Sequence, residues 1–104
     1  MISSEATKAL YDNAAEIAER LRVMANRDRL IMLCRLTAGE ASVSELVAFT
    51  GLSQSSVSQH LAVLREAGAV RVRREQQTRH YSLHDPRIYR MIEALCSASR
   101  PIGA

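Results

Sequence analysis

The segment Ser42-Val-Ser-Glu-Leu-Val-Ala-Phe-Thr-Gly51-Leu-Ser-Gln-Ser-Ser-Val-Ser-Gln-His60-Leu-Ala-Val-Leu-Arg-Glu-Ala-Gly68 decides how this chain is read. Ser42 followed three residues later by Glu45 is a capping-box pattern, so a short helix opens there. Gly51 permits a tight turn, and a second helix starts after Ser53. In that helix Val57, Leu61 and Leu64 share one inward stripe and Gly68 ends it. The outward face carries Gln54, Ser55, Ser56, Ser58, Gln59 and His60. Serine is a mediocre helix former, and four serines within residues 53–58 need a reason. Gln pairs with adenine through two hydrogen bonds, and Ser serves bases or phosphates. Ser55 and Ser56 lie near the helix N-terminus, where free N–H groups favour a phosphate.

Beyond Gly68 the apolar period changes from helical to two. Val70 and Val72 alternate with Arg71 and Arg73, and Tyr81 and Leu83 with His80 and Ser82, which predicts a β-hairpin over residues 69–83. The turn at Gln76-Gln77-Thr78 lacks glycine and Asn-Gly, so a longer, mobile tip is expected. Arg71, Arg73, Arg74 and Arg79 make this hairpin basic, suited to gripping a nucleic-acid backbone. Helix, turn, polar helix and arginine ribbon in that order predict a DNA-binding winged helix-turn-helix, mainly α with a β-hairpin wing.

Three more helices complete the expectation. The first runs from about Ser4 to Met24 with Leu10, Ala14, Ile17, Leu21 and Met24 at helical spacing. The second, capped by Asn26, carries Leu30, Ile31, Leu33 and Cys34 to about Thr37. The last is capped by Asp85 with Pro86 at its first position, and its stripe is Ile88, Met91, Ile92 and Leu95. The tail Ser99-Arg-Pro-Ile-Gly-Ala104 shows no pattern.

A chain of 104 residues makes one domain of marginal size, and such cores often gain burial by dimerising. Its 47% apolar and 24% charged residues are a globular composition. The net charge is only +3, but residues 65–90 hold seven arginines against three acids, while the first helix is acidic. Thirteen of the fourteen cations are Arg, the side chain suited to bidentate phosphate or guanine contact. No apolar run approaches the roughly 20 residues that span a bilayer, and no signal segment opens the chain. A cytosolic location is expected, with both cysteines as thiols. No glycine-rich phosphate loop, nucleophile elbow or carboxylate pair suggests an enzyme or a cofactor. The competing class is a winged helix used only for protein interaction, which needs neither the polar helix face nor the arginine ribbon.

Ala25-Asn-Arg-Asp-Arg-Leu-Ile-Met-Leu33, then residues 51–70 with Ser58-Gln-His-Leu61 at their centre, then Arg79-His-Tyr-Ser-Leu83, resemble the ArsR-type family of bacterial repressors over nearly the whole chain. The resemblance implies a homodimer joined through its first and last helices and bound to double-stranded, inverted-repeat operator DNA. It also implies release by an inducer, either a metal ion or a reactive sulfur or oxygen species. The Cys-x-Cys site of the arsenic- and cadmium-sensing members is absent from Val43–Ala48. Of the zinc-sensing positions only Asp85 is retained, beside Arg87, Ala98 and Pro101, so Asp85 is read as a helix cap and no metal site is expected. His80 and His84 are weak metal candidates. A dithiol subset of the family senses persulfide or oxidants through a cysteine in the second and the last helix. Cys34 matches the first of these; Cys96 is in the right helix, about one turn early. Three readings stay open: a dithiol switch, inert packing cysteines, and thiol-based metal or arsenite sensing.

Overall fold

The computed structural model describes residues 3–99, so the expectations for Arg100–Ala104, Pro101 included, lie outside the described residues. The order is α1 (Ser4–Met24), α2 (Arg27–Leu36), β1 (Ala41–Ser42), α3 (Val43–Thr50), α4 (Gln54–Glu66), β2 (Val70–Glu75), β3 (Thr78–Leu83) and α5 (Pro86–Ala98). Five helices and an antiparallel sheet of order β1-β3-β2 make a winged helix-turn-helix.

The helix starts follow the local chemistry read from the sequence. Asn26 accepts from the amides of Asp28 and Arg29, and Ser53 from that of Ser56. Both halves of the Ser42–Glu45 capping box are formed. Gly51 caps α3 in the left-handed region at φ 74°, where a side chain is disfavoured.

α2 is the hub, packing against α1, α3, α4, α5 and β3. Its Met32, Leu33 and Leu36 are buried with Leu46 of α3, Val57, Leu61 and Leu64 of α4, and Ile88 and Ile92 of α5. Burying each such side chain contributes roughly 1.5–3 kcal/mol before entropy is counted. Tyr81 and Val70 bring the sheet into the same core. α1 differs, because only Val23 and Met24 of its last turn are buried while Leu10 and Leu21 stay half-exposed.

Two features depart from the sequence expectation. Ala41–Ser42 forms a third strand, pairing Ala41 with Tyr81 and Ser42 with His80. The hairpin tip is tight: Glu75 pairs with Thr78, leaving only Gln76 and Gln77 in the turn. Gln76 supplies the positive φ (57°) that a two-residue connection needs and that glycine or asparagine usually provides. Ladder pairing up to the last residue outweighs the cost of that backbone.

Candidate nucleic-acid interface and cysteine pair

The stripe Val57, Leu61 and Leu64 anchors α4 in the core and turns Gln54, Ser55, Ser58 and Gln59 outward, all exposed. Ser56 is half-buried, its amide committed to Ser53. His60 stands apart from that outward set. It is half-buried, with Nε2 3.8 Å from Asp28 Oδ2 at the start of α2. The expectation that it joins the base-facing group thus meets an imidazole turned toward α2.

Strand parity divides the four wing arginines. The cross-strand pairs Val70–Leu83, Val72–Tyr81 and Arg74–Arg79 continue the core-facing side of the sheet. Arg79 lines a groove of about 830 Å³ between α4 and the wing, with Gln54, Ser58, Arg65, Glu66 and Thr78 among the residues around it. Arg74 and Arg79 stand directly opposite one another, and neither has an ion-pair partner among the described residues. Like charges directly opposite one another destabilise a sheet.

Arg71 and Arg73 point to the other side. Arg71 Nε donates to Ser82 Oγ at 3.3 Å. Arg73 is held by Glu40 and Glu75, each at 2.7 Å. The four arginines therefore do not form one patch. Arg65 and Thr78 were not singled out in the sequence. Arg65 lies on α4 two turns after Ser58, on the side facing the wing, and helical spacing from Ser58 was the available signal.

The second site lies where α2 meets α5. Cys34 Sγ and Cys96 Sγ are 3.0 Å apart and both residues are exposed. The helical offset of Cys96 does not keep the two thiols apart. Exposure also disfavours the view of these cysteines as small core hydrophobes. The hydrogen bond to Cys96 holds the Cys34 thiol above its ordinary range, with burial and the Cys96 charge adding to the effect.

Asp85 caps α5 by accepting from the Arg87 amide, and it also receives Arg20 Nε of α1 at 2.8 Å. Burial pushes its carboxyl up, but the Arg20 hydrogen bond, the Arg87 amide and the two arginine charges together outweigh this and leave it below the usual range. Among the described residues no group of three His, Cys, Asp or Glu side chains is placed to hold a metal ion. No helix among them is long and apolar enough to cross a membrane.

A polar helix set against a two-stranded basic wing, on a three-stranded sheet, defines a DNA-binding winged helix-turn-helix regulator. The chain belongs to the arsR family of bacterial regulatory proteins, whose family model matches residues 26–72. It is 47% identical over 83 residues to the transcriptional activator HlyU of Vibrio cholerae, covering 80% of this chain and 77% of that protein. The structure of reduced HlyU from the same species superposes with a TM-score of 0.83 at 41% identity, covering 90% and 99% of the two chains. The transcriptional repressor BigR from Xylella fastidiosa superposes with a TM-score of 0.87 at 33% identity, covering 91% and 97%. Membership places the chain among transcriptional regulators rather than enzymes.

Proposed function

We propose that this chain is a homodimeric repressor that binds an inverted-repeat operator and lets go when Cys34 and Cys96 become joined. Gln54, Ser55, Ser58 and Gln59 read base edges in the major groove, while Ser56, half-buried with its amide held by Ser53, takes no direct part. Arg74, Arg79 and Arg65 bind the flanking phosphates. The half-exposed face of α1 (Leu10, Leu21) and Leu95 of α5 fit burial against a second copy.

The observation that carries the switch is the 3.0 Å sulfur separation across two helices. Attack by one thiolate on the sulfane sulfur of a small-molecule persulfide (R–S–SH) transfers that sulfur and releases R–SH. The cysteine that has gained it is then attacked at its inner sulfur by the other, forming the protein disulfide and expelling HS⁻. If both cysteines are first persulfidated, attack by one terminal sulfur on the other inner sulfur expels HS⁻ and leaves a trisulfide. Either bridge fixes α2 to α5 and changes the setting of the two α4 helices, which must span about 34–36 Å to reach successive major grooves.

The test is intact-mass spectrometry after exposure to glutathione persulfide, read beside binding to the chain's own promoter DNA. A bridged product with at least tenfold weaker binding, abolished in Cys34→Ser and Cys96→Ser, is expected. Unchanged binding by a fully bridged protein refutes the switch. Reporter expression in cells reads the sign of regulation: repression in the reduced state is expected, and activation there overturns it.

A further inference from the structure

We propose that Arg73 is a positioning residue that clamps the wing to the α2–β1 junction through Glu40, and that it is not a DNA contact. The guanidinium uses three nitrogens. Nε and Nη2 form a bidentate pair with Glu40 at 3.1 and 2.7 Å, and Nη1 meets Glu75 Oε2 at 2.7 Å.

The topology gives this clamp its meaning. Arg73 lies on the edge strand β2, and its cross-strand neighbour is His80 on the central strand. His80 is paired in turn with Ser42 on the opposite edge, β1. Glu40 immediately precedes β1, so the Arg73 side chain crosses the outer face of the sheet and ties its two edges together. β1 has only two residues, and a strand that short gains little from its own ladder. Exposed single ion pairs contribute little, but bidentate geometry within a three-member network is the exception to that rule.

Electrostatics argue against a phosphate at this position. The Arg73 hydrogen bonds hold Glu40 and Glu75 below the usual carboxylate range, so both stay ionised at neutral pH. Two carboxylates occupy the Arg73 guanidinium, while Arg71 on the same face adds a second positive charge near Glu40. A DNA backbone reaching Arg73 must displace two short charged hydrogen bonds. Arg74 and Arg79, on the opposite face, present no such obstacle.

Charge-conserving variants separate clamp from contact. Arg73→Lys keeps the cation but loses the planar fork, and Glu40→Asp keeps the anion but shortens its reach. Affinity for a 30-base-pair duplex is measured over a salt series beside amide exchange at Ala41 and Ser42. The clamp predicts that both variants bind about 2- to 5-fold more weakly. It further predicts an unchanged salt slope, faster exchange in β1, and no further loss when the two changes are combined. The exchanged pair Glu40→Arg/Arg73→Glu is expected to recover β1 protection. Were Arg73 a phosphate contact, Arg73→Lys would bind like the parent and Arg73→Gln would lower the slope by about 0.9. That pattern overturns the proposal, and so does parental affinity with parental exchange in both variants. The inference is independent of the cysteine chemistry, and loss of the thiol response leaves it standing.

Discussion

Neutralising Arg74 and Arg79 together is expected to move two properties in opposite directions. The two side chains face each other across the β2–β3 ladder without a carboxylate partner among the described residues. In the free protein they repel, and under the proposed function they share the phosphate backbone in a complex. Each phosphate contact contributes about 0.9 to the slope of log K against log salt, so the pair contributes about 1.8. Between about 50 and 200 mM salt, a change of about 0.6 in the logarithm, those two contacts account for roughly a 12-fold loss of affinity. The Arg74→Gln/Arg79→Gln variant should therefore bind random duplex DNA more weakly at low salt, with a flatter salt dependence. Its free form should melt higher by roughly 1–4 °C, because cross-strand repulsion is gone. Fluorescence anisotropy over the salt series and thermal unfolding of the same samples measure both. An unchanged slope would show that these arginines do not touch phosphate. A lower melting temperature would show that they are stabilising neighbours rather than a strained pair.

Three further outcomes are expected. Leu61→Ala empties a fully buried position between α4 and the core and should cost about 2–5 kcal/mol by urea unfolding, a loss that a surface position would not show. Gln76→Gly relieves the left-handed backbone at the wing tip and should stabilise by about 0.5–1 kcal/mol with the hairpin register intact by NMR; destabilisation would mean the tip is not strained. Asp85 has a folded-state pKa below its ordinary value, so its contribution to stability is complete above the ordinary aspartate range near 3.9 and fades as pH falls through the lower folded value. Asp85→Asn should flatten that acid limb of the stability curve, and an identical acid limb in both proteins would place the dependence elsewhere.

Much of this architecture was legible because α2, α4 and α5 each announce themselves twice, by a cap and by a stripe, while α1 shows a stripe and α3 a capping box. Asn26, Ser42, Ser53 and Asp85 are all caps in the structure. β1 was not legible, since two residues cannot display a period of two and Ser42 was already accounted for as a cap. The tight tip was hidden because its positive φ falls on glutamine. The division of the wing arginines was present in the sequence: Val70 and Val72 share parity with Arg74, whereas Arg71 and Arg73 alternate against them. The mixed surroundings of Arg73 were not, because Glu40 lies 33 residues away in sequence. His60 sits one position before buried Leu61, close enough to the inward stripe to turn toward Asp28. The cysteine contact depends on how α2 and α5 cross, which helical spacing alone does not specify.

Ser42 closes β1, caps α3 and pairs with His80 of the wing, and it is nearly inaccessible to solvent. One residue thus belongs at once to the sheet and to the helix-turn-helix, leaving little play between that helical pair and the basic ribbon. Under the proposed function, the distance from a half-site's core bases to its flanking backbone contact is then a property of the fold. Inserting a single base pair between them shifts the flank by about 3.4 Å along the axis and twists it away. Such a change should be poorly tolerated within a half-site, however forgiving the spacing between half-sites proves to be.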